Sequence, residues 1–80
     1  MNNGKIDSDT AARRVWLYLR ARPGELVSSW ELAQETQTVA VSTRVAEVRR
    51  ELRRLGLPEE IETIQRGHKF FYRLKKIENE

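Results

Sequence analysis

The chain has no cysteine, a single histidine, and no apolar run approaching the roughly 18 residues of a membrane span. Without cysteine there is no disulfide framework, no thiolate metal site and no thiol nucleophile. His68 alone cannot build a zinc site, which takes about three or four protein ligands. No signal-peptide pattern opens the sequence, and no membrane association is expected. Length is short as well: 80 residues support one domain, which buries only about 60% of the surface its unfolded chain exposes. Such a core is too small to enclose a large cofactor, and none is expected. What remains is a small α/β module of the intracellular type. Its net charge of +3, from 15 lysines and arginines against 12 acids, is a mild basic bias that names no partner by itself.

The distribution of charge says more than its sum. Residues 1–40 carry five bases and five acids. Residues 41–58 hold Arg44, Arg49, Arg50, Arg53 and Arg54 against Glu47 and Glu51. After an acidic interruption at Glu59, Glu60 and Glu62, residues 66–76 hold Arg66, Lys69, Arg73, Lys75 and Lys76 with no acid. The basic excess therefore sits in two C-terminal stretches. Residues 1–8 are polar and aperiodic and read as a flexible leader, and residues 77–80 read as a frayed acidic tail. The domain is expected over residues 9–76.

Periodicity and punctuation divide that domain into elements. Ala12, Val15, Trp16 and Leu19 recur at helical spacing, which predicts a first helix over 9–22, capped by Ser8 or Asp9 and ended by Pro23 and Gly24. Leu26 and Val27 form a minimal strand. Ser28 and Glu31 then fit a capping box that opens a short second helix over 29–35, with Leu32 and Ala33 inward. A break is expected at Gln37 and Thr38. Val41, Val45, Val48, Leu52 and Leu55 next draw one continuous apolar stripe, the clearest helix in the chain. Thr38 or Ser42 is its expected cap. Gly56 suits a left-handed C-terminal residue, and Pro58 prevents continuation.

Beyond Pro58 the period changes to two. A two-residue turn at Gly67 and His68 fits type II′, with glycine supplying the positive φ. That turn sets Ile61 opposite Leu74, Thr63 opposite Tyr72 and Gln65 opposite Phe70 on one face. Ile64 and Phe71 pair on the other, among charged residues. Trp16, Trp30, Phe70 and Tyr72 are expected in the core.

The order is thus helix, strand, short helix, break, long helix, hairpin, an α+β pattern. With SSWELAQET as a support helix, STRVAEVRRELRRLG as a reading helix and IETIQRGHKFFYRL as a hairpin, the chain resembles the winged helix-turn-helix DNA-binding domain, and more narrowly short phage-encoded winged-helix proteins. Gln37 and Thr38 depart from that pattern, standing where helix-turn-helix units often carry a glycine. The resemblance implies three helices with a small antiparallel sheet and a C-terminal wing. It also implies double-stranded DNA as the partner, a role as transcriptional regulator or recombination accessory factor, and the cytoplasm of a prokaryotic or phage-infected cell.

The residues support that expectation chemically. A B-DNA major groove admits a helix and shows each base pair as a distinct donor and acceptor pattern. Projected as a helix over about 39–55, the chain sets Thr43, Ala46, Glu47 and Arg50 opposite the apolar stripe as candidate base contacts. Arg44, Arg49, Arg53 and Arg54 are candidate phosphate contacts, and so is Ser28 at the mouth of the second helix. Arg66, His68 and Lys69 form the wing tip. Charged residues also solvate any helix face, and Glu47 with Arg50 or Glu51 with Arg54 has the spacing of a plain surface pair. An alternative function on the same scaffold is protein interaction, with Leu17 or the Ile64 and Phe71 pair as a contact, for example in a homodimer. An enzyme is not expected, because the sequence holds no metal-ligand cluster, no glycine-rich phosphate loop and no nucleophile paired with a base.

Overall fold

A computed structural model describes residues 10–77. They form α1 (Ala11–Arg20), β1 (Val27–Ser28), α2 (Ser29–Thr36), α3 (Val41–Leu55), β2 (Glu59–Arg66) and β3 (Lys69–Lys76). Three helices pack beside a three-stranded antiparallel sheet of order β1-β3-β2, an α+β layout consistent with a winged helix. The expected leader, together with residues 9 and 78–80, lies outside the described residues.

The α3 stripe supplies the largest share of the core. Val41, Val45, Val48 and Leu52 are buried, and they pack with Val15 and Leu19 of α1, Val27, Leu32 of α2, and Ile61, Tyr72 and Leu74 of the hairpin. Fully burying a Leu or Val contributes roughly 1.5–3 kcal/mol each, so this cluster outweighs any surface pair in the molecule. Leu55 closes the sequence pattern but lies outside the core, half exposed where α3 ends.

Several boundaries differ from the sequence expectation, each for a local reason. The cap of α1 is Thr10, whose Oγ1 accepts from the Arg13 N–H at 3.1 Å. Its C-cap is Ala21, short of Arg22, because the residue before a proline is driven out of the helical region. The strand is Val27–Ser28 rather than Leu26 and Val27, since Val27 pairs with Tyr72 and Ser28 with Phe71. Only half of the capping box forms. Ser28 Oγ accepts from the Glu31 N–H at 3.0 Å, while the Glu31 carboxylate accepts the Tyr18 hydroxyl of α1. Neither Thr38 nor Ser42 caps α3. Its N-cap is Ala40 with no side-chain bond, because Thr38 is buried and committed to the turn before it.

That turn is where the missing glycine matters. Gln37 adopts the left-handed conformation at φ 53°, the sole non-glycine residue to do so among the described residues. Around it, Thr36 Oγ1 donates to the Leu32 carbonyl at 2.6 Å, the Thr36 and Thr38 hydroxyls lie 2.8 Å apart, and the Thr38 N–H bonds the Ala33 carbonyl at 3.0 Å. From α1, Arg14 Nε donates to the Thr36 carbonyl at 2.9 Å. The threonine pair and this arginine hold a backbone turn that most side chains resist.

The hairpin register is the one expected: Ile61 with Leu74, Thr63 with Tyr72, Gln65 with Phe70, and Ile64 with Phe71. Gly67 turns at φ 63° while His68 keeps a negative φ, the signs of a type II′ turn. Ile77, the first residue of the expected tail, still donates its N–H to the Pro58 carbonyl at 2.9 Å.

Replacing Gln37 should read out the strain in the turn. Gln37→Gly is expected to stabilise the fold by about 0.5–1 kcal/mol, a rise in Tm of a few degrees, because the left-handed penalty of about 1–2 kcal/mol exceeds the added chain entropy. Gln37→Val should lower Tm instead. Thermal unfolding followed by circular dichroism checks both.

Candidate nucleic-acid interface

The buried stripe determines what α3 can present. Thr43, Ala46 and Arg50 lie exposed on the opposite side, together with Arg53 and Arg54. Glu47 belongs to the same outer arc but is half-buried, and it pairs with Arg44 (Nη1 to Oε1, 3.1 Å) rather than with Arg50. Arg54 is bound to Glu51 through two bonds of 2.8 and 3.1 Å. That hydrogen bond holds the Glu51 carboxyl below, and the Arg54 guanidinium above, its ordinary value. Arg50 and Arg53 make no hydrogen bond or ion pair among the described residues.

Arg49 has a different occupation from the phosphate contact expected of it. Its Nε and Nη2 donate to the Ile61 carbonyl at 3.1 and 2.6 Å, and Nη2 also reaches Thr63 Oγ1 at 2.8 Å. Residue 49 flanks the apolar stripe between Val45 and Leu52, so its side chain projects toward the sheet rather than outward. It ties α3 to β2 and thereby fixes the angle of the hairpin against the helix. Burial of Tyr72 beside it pushes that phenol above its usual range.

Pairing also divides the basic hairpin. Arg73 binds Glu62 across the strands, and Lys75 Nζ lies 3.2 Å from Glu62 and 3.5 Å from Glu60. Hydrogen bonds from Arg73 and then Lys75 hold the Glu62 carboxyl below its ordinary value. Arg66, His68 and Lys69 at the tip are exposed and take no ion pair among the described residues. Ser28 lies at the N-terminus of α2, its hydroxyl engaged as the cap.

Two aromatic side chains expected in the core are on the surface. Trp30 is 70% exposed and Phe70 is 42% exposed, whereas Trp16 is half-buried and Tyr72 is buried. A helical projection at about 100° per residue would have placed Trp30 away from inward-facing Leu32. Phe70 occupies the expected sheet face, but near the tip, beyond the cover of the helices. Between them lies a groove bordered by α2, the first turn of α3 and the hairpin. A second groove continues from it past Trp30 and Phe70 to His68 and Lys69. The alternative contacts are smaller: Leu17 is 42% exposed, while Ile64 and Phe71 are half-buried.

No group of three or more His, Asp or Glu side chains that could hold a metal occurs among the described residues. No described helix is long and apolar enough to cross a membrane. No family model, curated protein or solved structure matches the chain.

Two outcomes follow from the pairings. Glu62 has a lowered folded pKa, so its stabilising effect is present above the unfolded glutamate value of about 4.3 and is lost as pH falls through the lower folded value. Glu62→Gln should therefore lower Tm at neutral pH, with the difference from the parent closing under acid, as thermal unfolding across a pH series will show. Arg49→Met, which keeps the apolar stem but leaves the Ile61 carbonyl without its charged donor, should cost about 1.5–3 kcal/mol in urea unfolding.

Proposed function

We propose that this chain binds double-stranded DNA with sequence preference, α3 entering the major groove and the hairpin tip meeting the backbone or minor groove. The role is that of a small transcriptional regulator or recombination accessory factor in the cytoplasm of a prokaryotic or phage-infected cell. One observation carries the reading: where the chain pairs its charges, it leaves Arg50 and Arg53 on the outer side of α3 and Arg66 and Lys69 at the tip without a salt bridge among the described residues. Those are the two elements that a winged helix directs at DNA.

Arg50 is the residue suited to bidentate contact with a guanine edge, flanked by Thr43 and Ala46, whose methyl groups suit a thymine methyl. Glu47, half-buried against Arg44, contributes less to reading and more to holding Arg44 in place. Arg53, Arg66 and Lys69 neutralise phosphates, which positions the protein without reading sequence. Arg54 does so only at the expense of its Glu51 pair. Arg49 acts from behind, setting the hairpin relative to α3.

Selection of duplexes from a randomised pool at low salt, followed by a salt titration, tests the reading. Arg50→Ala is expected to cost about 1–3 kcal/mol on the selected site and to relax preference at one base pair. Arg66→Ala combined with Lys69→Ala should weaken all duplexes alike and flatten the log–log salt slope by about 0.9 for each phosphate no longer neutralised. Failure of the chain to retain any duplex from the pool at low salt would falsify it.

A further inference from the structure

The groove shared by α2, α3 and the hairpin has a composition that sets it apart from the rest of the surface. Trp30, Phe70 and the fully exposed Val39 provide bare apolar area on a chain too small to spare it. Contiguous apolar surface of this kind marks an interaction site more often than a random exposure. Beside these groups stand the hydroxyl residues Ser29, Ser42 and Thr63. No acidic residue lines this groove or its continuation to the tip, although the chain carries 12 acids. The grooves on other faces do include them, with Glu51 in one and Glu59 and Glu60 in another.

Cations line both the groove and its far end. Arg49 lines the groove as well, and although its Nε and Nη2 donate to the Ile61 carbonyl and the Thr63 hydroxyl, both acceptors are neutral and its positive charge remains. Lys69 and His68 border the far end. Exposed aromatic and apolar side chains, hydroxyls, cations and no carboxylate match a ligand that alternates apolar rings with anions. A sugar–phosphate strand has that alternation.

We propose that one strand of the DNA duplex passes through this groove, with its deoxyribose rings packed against Trp30 and Phe70 and its phosphates toward Ser29, Ser42 and Lys69. The inference rests on the DNA-binding reading and adds to it an apolar contact that charge alone does not reveal. Because α3 borders the same groove, the aromatic pair sets how the helix sits in the adjoining major groove. Trp30 and Phe70 are therefore affinity determinants that act independently of salt.

Trp16→Phe leaves Trp30 as the single tryptophan, and titration of that variant with a mixed-sequence duplex at low salt reads the groove directly. Quenching of Trp30 emission and its protection from acrylamide are expected on binding. In the otherwise native chain, Trp30→Ala and Phe70→Ala should each weaken duplex binding about tenfold while leaving the salt slope unchanged. Both positions are exposed, and unchanged thermal unfolding will show that the fold is intact. Duplex binding with unaltered Trp30 emission and parental affinity in both alanine variants would overturn this inference and leave the DNA reading standing. The same holds if Trp30→Ala abolishes self-association in sedimentation with DNA affinity unchanged, which assigns the groove to a second copy of the chain. Absence of any duplex binding removes both readings together.

Discussion

Val41, Val45, Val48 and Leu52 are the side chains against which the other elements are placed. Helix α1 covers the stripe from one side with Val15 and Leu19, and the sheet covers it from the other with Ile61, Tyr72 and Leu74. A four-residue stripe buried this completely allows α3 no rotation about its axis. Its outer face is therefore determined before any polar contact forms, and Thr43, Ala46 and Arg50 point outward because the valines point in. Arg49, on the edge of the stripe, extends the same constraint to the hairpin through its bonds to Ile61 and Thr63. The angle between helix and wing then follows from packing plus one guanidinium.

Charge is organised by pairing more than by number. Counted along the sequence, the hairpin is uniformly basic from Arg66 to Lys76. In the fold, the β2 carboxylates lie directly across the ladder, so Glu62 and Glu60 take up Arg73 and Lys75, while Arg66 and Lys69 at the tip and Lys76 at the opposite end stay without a salt bridge among the described residues. On α3 the same happens to Arg44 and Arg54, while Arg50 and Arg53 keep their charge available. These exposed pairs add little stability, typically about 0–1 kcal/mol each. Their larger effect is on the field, since they neutralise Arg44, Arg54, Arg73 and Lys75 and leave Arg50 and Arg53 on α3 and Arg66 and Lys69 at the tip among the cations without a salt bridge in the described residues.

Much of this was legible in the chain. The apolar stripe of α3, the helix-ending Gly56 and the hairpin register from Ile61 with Leu74 to Gln65 with Phe70 all follow from local spacing, because a helix repeats every 3.6 residues and a strand every two. The outward set Thr43, Ala46 and Arg50 follows as the complement of the stripe. Less legible were the caps. Thr10 replaces Ser8 or Asp9, and Ala40 starts α3 without a side-chain bond, since competing hydroxyls a residue or two apart differ only in what surrounds them. Trp30 and Phe70 were misplaced because a large aromatic side chain is normally core, and only the limited cover of so small a fold leaves them outside.

The sequence by itself determined which residues form helices and strands, which face of each is apolar, and where the chain must turn. Those properties depend on neighbours within a few positions, and periodicity records them. Tertiary structure alone decided that Arg49 serves the hairpin, that Glu31 accepts Tyr18 instead of completing its cap, that Arg73 and Lys75 of the hairpin are taken up by carboxylates, and that Trp30 and Phe70 line an acid-free groove. Each of these rests on groups from separate elements meeting in space. No spacing along the chain encodes such a meeting, because it depends on how the buried stripe orients one element against the next.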